Sequence, residues 1–254
     1  MTAIDVRDDA PVGAGEYRHV TTRAWWSAHM STPDGKPFVC LYEQLLTEWV
    51  PTDPSDDWMW DRRTTGRHEW LAGDEERARA QGLDTGPRWP TGRWRAAYGD
   101  YFAAGSGRPA RPRDASWDLP APEFLAELPR EPDLLRDRLL ADTGPRHPLA
   151  TARTLLASGQ VPADLRGSLY AVLRTLPGIV VAAAGNADGE PGVAFVADDG
   201  PRRQEVVVDP DGGGYLGERQ TMLVADFGLA EGAVVSATAV TVGVAPGIGE
   251  PASQ

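Results

Sequence analysis

Residues 161–181 read VPADLRGSLYAVLRTLPGIVV, and their interpretation decides the fold. Leu165, Leu169, Val172, Leu173 and Leu176 recur at i, i+4, i+7, i+8 and i+11, one stripe of a 3.6-residue period. Pro162 suits a helix start, and Pro177-Gly178 stops the run. The spacing therefore predicts an amphipathic helix that passes through a tight turn into a strand. Its leucine face needs a partner, and the strands that follow are the nearest surface.

Downstream the pattern changes to hairpins. Strands are expected at 179–184, 193–197, 204–209, 215–224 and 233–244, with turn signals between them. Upstream lie three shorter helical segments at 123–128, 132–142 and 148–158, the last closed by Gly159. Further back, 16–26, 38–50 and 58–71 read as three strands of a meander joined by STPDGKP and PTDPSDD turns. The middle one, FVCLYEQLLTEWV, also admits a helix through Leu41, Leu45 and Glu48; its position between two turns favours a strand. On the third, Trp58, Trp60, Arg62 and Thr64 share one face. Residues 73–120 are rich in Gly, Pro and Arg and predict a short charged helix at 74–81 within a long irregular cover loop.

The whole reads as a single α+β domain over 16–244, between a disordered lead-in at 1–15 and a disordered tail at 245–254. The expected architecture is a curved antiparallel sheet with a helical insertion packed on its concave face.

Composition narrows the function. A formal net charge of −12 argues against a nucleic-acid partner and against docking on anionic lipid, both of which need a basic surface. Cys40 is the only cysteine, so no internal disulfide forms. The first residues lack the basic and apolar regions of a signal peptide, and no window is apolar enough for a membrane span.

Chemical motifs do not hold up. Residues 212–217, GGGYLG, match the dinucleotide fingerprint in letters, but a strand and not a helix follows, so the stretch reads as a hairpin turn. Asp209-Pro210-Asp211 resembles the start of a calcium loop, but Gly213 and Gln220 stand where ligands are required. His19, His29, His68 and His147 show no metal-ligand spacing, and no nucleophile elbow is present. No catalytic residue, metal or cofactor is assigned.

The aromatic residues are more informative. All nine tryptophans precede residue 118. Tryptophan suits both cores and the lips of cavities, so these rings either fill the space between sheet and helices or line an apolar cavity on the concave face, covered by the 73–120 loop and the helices, with Tyr17, Trp25, Tyr42, Trp49, Trp58 and Trp60 as its candidate lining.

Three segments, LPREPDLLRDRL (128–139), VPADLRGSLYAVLRTLPGI (161–179) and VVVDPDGGGYLGERQ (206–220), together with EYRHVTTRAWW (16–26) and EWVPTDPSDDWMWDRRTTGR, resemble an actinobacterial family of uncharacterised, typically membrane-anchored, anti-sigma-factor-like proteins. The resemblance spans about residues 16–240. It implies a half-open barrel similar to the LolA and RseB type, an extracytoplasmic setting and an apolar or lipid ligand or a protein partner. The family's anchor helix has no counterpart here, which leaves an extracytoplasmic location for a truncated member and a cytoplasmic one for a complete chain. No catalytic residues come with the resemblance.

The leading expectation is a non-enzymatic binding or sensing domain. One alternative is a hydrolase-like enzyme built from dispersed histidines and carboxylates, which requires His19 or His68 within reach of a carboxylate inside a pocket. The other is a structural interaction domain with a filled core.

Overall fold

The computed structural model describes residues 4–32, 35–87, 89–112 and 114–252. The start of the expected lead-in, the centre of the 31–37 turn, two positions of the cover loop and the end of the tail lie outside the described residues.

β1 (Tyr17–Ser31), β2 (Pro37–Pro51), β3 (Asp57–Ala72) and β4 (Gly92–Ala97) form one antiparallel meander. β5 (Ile179–Gly185), β6 (Pro191–Asp199), β7 (Arg202–Val208), β8 (Tyr215–Met222) and β9 (Val234–Ala245) form a second. The two join where β1 pairs with β9, from Tyr17 opposite Ala245 to Trp26 opposite Ser236. The result is one open nine-stranded sheet in the order β4-β3-β2-β1-β9-β8-β7-β6-β5. The 38–50 segment is strand β2, as its flanking turns imply.

The irregular cover loop expected at 73–120 is corrected in one respect. Besides the charged helix α1 (Glu75–Ala80), capped by the Asp74 carboxylate on the Arg77 amide, it contains edge strand β4. The sequence GRWRAA is short and mostly polar or small, so it carries little strand signal; its ladder to Asp57–Arg62 of β3 is what makes it a strand.

Between β4 and β5 run α2 (Pro122–Glu127), α3 (Pro132–Thr143), α4 (Pro148–Ala157) and α5 (Ala163–Thr175). The first three of these open with proline, whose fixed φ and missing N–H suit the first helical turn. Because β4 and β5 are the two edges of the sheet, the helical run crosses from one edge to the other and lies against one face. Leu165, Leu169, Val172, Leu173 and Leu176 are all buried there against Phe195, Val206, Val208 and Val240 of the sheet and Leu135 and Leu139 of α3. No helix of the described residues is long and apolar enough to cross a membrane.

The stretches expected as disordered lead-in and tail instead make specific contacts over their described parts. Asp5 and Arg7 donate backbone bonds to Pro210 and Gly212, and Ile4 and Val6 pack against the main core. The buried Arg166 of α5 holds this strap through Asp9 (2.6 Å) and the Arg7 carbonyl (3.1 Å). At the other end, the Trp49 indole donates to the Glu250 carbonyl (2.6 Å), and Ile248 packs beside it. Gly- and Pro-rich composition hides such docking, because backbone donors and one distant arginine supply it.

The G-x-G-x-x-G letters fall on the β7–β8 hairpin, as the following strand requires. Gly217 has φ of +144°, and a Cβ there would lie 2.1 Å from the Thr238 carbonyl oxygen, so close strand approach accounts for this glycine.

Leu169 is fully buried, whereas Leu134 on α3 is 59% exposed. Leu169→Ala is expected to cost about 2–5 kcal/mol in urea unfolding, and Leu134→Ala to stay within about 0.5 kcal/mol.

Candidate functional site

Successive strand side chains point to opposite faces, and directly paired residues share a face. Four of the rows that the register puts on the helix-bearing face of β1–β4 concern the site. They are Val20–Glu48–Trp60–Trp94, Thr22–Leu46–Arg62, Ala24–Gln44–Thr64 and Trp26–Tyr42–His68. Over β5–β9 this face is filled by the leucines of the helices; Val20 is the only β1–β4 residue in that core among the described residues. Over β1–β4 the face is aromatic.

The rings form a continuous run. Trp94 and Trp60, directly opposed on β4 and β3, have centroids 5.2 Å apart, and Tyr101 stacks on Trp60 at 5.7 Å. The Arg62 guanidinium carbon lies 4.4 Å from the Trp60 ring centre and 5.9 Å from that of Trp26. Trp89 of the cover loop lies 6.0 Å from Trp26 and 6.4 Å from Tyr42. These separations are those of favourable aromatic and cation–π pairs.

Beside this run is a cavity of about 520 Å³ lined by Glu48, Trp60, Pro90, Trp94, Gly99, Tyr101, Phe102 and Leu119. Its wall is shaped by the turn after β4, where Tyr98 and Gly99 both have φ of +59° and the Tyr98 amide is held by the Pro54 carbonyl. That reversal brings Tyr101 over Trp60, and the Tyr101 hydroxyl donates to Glu48 Oε1 at 2.9 Å. Phe102, at the lip, is 90% exposed.

The six aromatic positions expected to line one cavity do not converge. Trp60 forms the wall just described. Trp58, two residues earlier on the same face, is buried and borders a separate recess of about 290 Å³ with Pro54, Tyr98 and Pro120. Tyr42 is buried in a cluster with Met30, Phe38, Cys40 and Ala78; its hydroxyl donates to the Thr85 carbonyl, and burial pushes its pKa up. Tyr17, Trp25 and Trp49 lie on the opposite face by register: Trp49 and Tyr17 pack with Met59, and Trp25 lies under Arg67. Trp26, Arg62, Trp94, Tyr101 and Phe102 take their place. Strand alternation carried part of the signal, because adjacent Trp25 and Trp26 must face opposite ways.

At the boundary with the helices sits a smaller polar recess of about 210 Å³, lined by Thr22, Trp26, Leu46, Arg153, Glu218 and Thr238 among others. Arg153 of α4 is bonded to Glu218 of β8; burial opposes its charge, but Glu218 outweighs it and raises the Arg153 pKa. Gln44 is wholly buried, and neither atom of its amide has a hydrogen-bond partner among the described residues.

The histidines do not assemble. His19 lies on the opposite face, edge-on to Trp49 at 5.1 Å, with its pKa lowered by burial. His68 is on the helix-bearing face, 4.0 Å from the Glu75 carboxylate and partly exposed. His147 caps α4. Among the described residues no three His, Cys, Asp or Glu side chains converge to hold a metal ion.

The opposite face is laced with ion pairs: Asp61 with Arg63 (2.9 Å) and Arg93 (2.8 Å), Asp57 with Arg95, and Glu43 with Arg67. The Asp61 carboxylate is buried, and its bonds from Arg63 and then Arg93 hold its pKa below the usual range against the cost of burial. Its ionised form therefore stabilises the fold above the unfolded-state value near about pH 4, and that stabilisation is lost as pH falls through the lower folded value. The stability gap between the wild type and Asp61→Asn, read by urea unfolding, is expected to be constant at about pH 5–8 and to shrink below about pH 4.

No known protein family, characterised protein or solved structure matches this chain.

Proposed function

We propose that this protein is a non-enzymatic binding or sensing domain, and that its ligand is apolar in the main and enters the aromatic half of the helix-bearing face. The observation that carries this reading is the cavity of about 520 Å³ walled by Trp60, Trp94, Tyr101, Phe102 and Leu119. Its size lies in the range of small-molecule sites, and its few polar groups are of the kind that orient a ligand. An apolar ligand gains about 25 cal/mol for each Å² of surface it buries there. In this reading the sheet is a half-open barrel of the LolA and RseB kind. The helices close one half and leave the other for an acyl chain, whose occupancy is the state that a partner protein senses.

Decanol is the simplest probe. Titration calorimetry on delipidated protein is expected to show saturable binding of decanol, and native mass spectrometry a one-to-one adduct. Trp60→Ala is expected to weaken binding at least about tenfold. Trp25→Ala, on the opposite face, is expected to leave it unchanged. Absence of binding by every decyl compound tried defeats this reading.

A further inference from the structure

The arginines on the opposite face of β1–β4 are matched with carboxylates: Arg23 with Glu43 and Asp188, Arg63 and Arg93 with Asp61, Arg67 with Glu43, and Arg95 with Asp57. Arg62, on the helix-bearing face, is not. Its guanidinium has no ion pair or hydrogen bond among the described residues, and its Nε atom is buried without a partner. Burial is the influence that moves its pKa, downward, with no carboxylate opposing it. In a chain with 37 acidic residues against 25 basic ones, a half-buried cation without an acid is a position held open for an anion from outside. The two indoles fix its plane: Trp60 lies 4.4 Å and Trp26 5.9 Å from the guanidinium carbon, so its donor edge is presented in a set orientation.

A second unsatisfied group lies in the next row. Gln44, paired with Ala24 and Thr64, is a diagonal neighbour of Arg62 across β2 and β3, within reach of long side chains. Its amide is wholly buried with both atoms unpartnered among the described residues. Two other cations stand on or near this face: Arg18, toward the start of β1, lies in the field of the Asp9 carboxylate, and Arg153 is already bonded to Glu218. One unpaired positive charge with an amide donor beside it matches a single negative charge on two oxygens. Trp60 belongs both to this pair and to the wall of the apolar cavity.

Resting on the binding reading above, we infer that the ligand is an amphiphile with one carboxylate, received by Arg62 between Trp26 and Trp60 with the Gln44 amide behind it, and that its hydrocarbon part fills the cavity beside Trp94 and Phe102.

Four probes that differ only in their head group separate this inference from the reading it rests on: decanoate, decanol, decylammonium and decyl phosphate, each titrated calorimetrically into the whole chain. Decanoate is expected to bind roughly tenfold or more tightly than decanol. Arg62→Met, which keeps the aliphatic stem between the indoles, is expected to erase that preference and leave decanol binding unchanged. Gln44→Leu removes a buried amide without opening a void, and is expected to weaken decanoate alone; circular dichroism and a melting curve check that both variants fold. Equal binding of decanoate and decanol by the wild type overturns the inference while the apolar cavity stands. So does a preference that survives Arg62→Met, tighter binding of decylammonium through Glu48, or tighter binding of decyl phosphate. If none of the four binds, the cavity reading falls and this inference with it.

Discussion

The ladder between β1 and β9 is the interaction on which the rest of the structure depends. It joins strands from opposite ends of the chain, and through it two four- and five-stranded meanders become one sheet. The entropy of closing so long a loop grows only slowly with its length, so the ladder burdens the rate of folding more than the stability of the product. Its register also sets the facing of every side chain discussed above. A slip of one residue would carry Trp26 and Thr22 to the ion-paired face and bring Trp25 and Arg23 under the helices.

Once the sheet is joined, its helix-bearing face is divided between two uses. Over β5–β9 it is sealed by leucines from α3, α4 and α5, with Phe195, Val206 and Val208 fully buried beneath them. Over β1–β4 it carries indoles, a phenol and a guanidinium in contact with one another, with space beside them. Charge is divided the same way. On the far face acids and arginines satisfy each other, while on this face Arg62 and Gln44 stay unsatisfied. Unmatched polar groups beside an open cavity give this region a capacity for recognition.

Much of the architecture was legible in the sequence because it rests on periodicity. The leucine stripe of α5 and the alternation of β3 are local patterns, and the structure places Leu165–Leu176 and Trp58, Trp60 and Arg62 on the helix-bearing side as those patterns require. Strand β4 was not legible, since Gly92, Arg93 and Arg95 have weak strand preference and only pairing with β3 holds them extended. The cavity followed β4 into obscurity: Trp94 meets Trp60 only across that ladder, and Tyr101 reaches Trp60 only through the reversal at Tyr98 and Gly99. Tyr17, Trp25 and Trp49 were placed by composition, which carries no parity. The docking of residues 4–9 on Arg166 and the β7–β8 turn depends on contacts between residues far apart in the sequence, which no local pattern records.

The uneven placement of tryptophan has an optical consequence. Eight of the nine indoles belong to β1–β4 or to the segment that crosses them, and Trp117 packs on Phe124 at the edge of the helical layer. Strands β5–β9 and helices α3–α5 contain none. Indole emission thus reports mainly on one meander, with Trp117 alone in the main core, while far-ultraviolet ellipticity reports on both and on the helices. A common midpoint for the two signals is the signature of a β1–β9 ladder strong enough to make the halves a single cooperative unit; separated midpoints mean that each meander melts on its own.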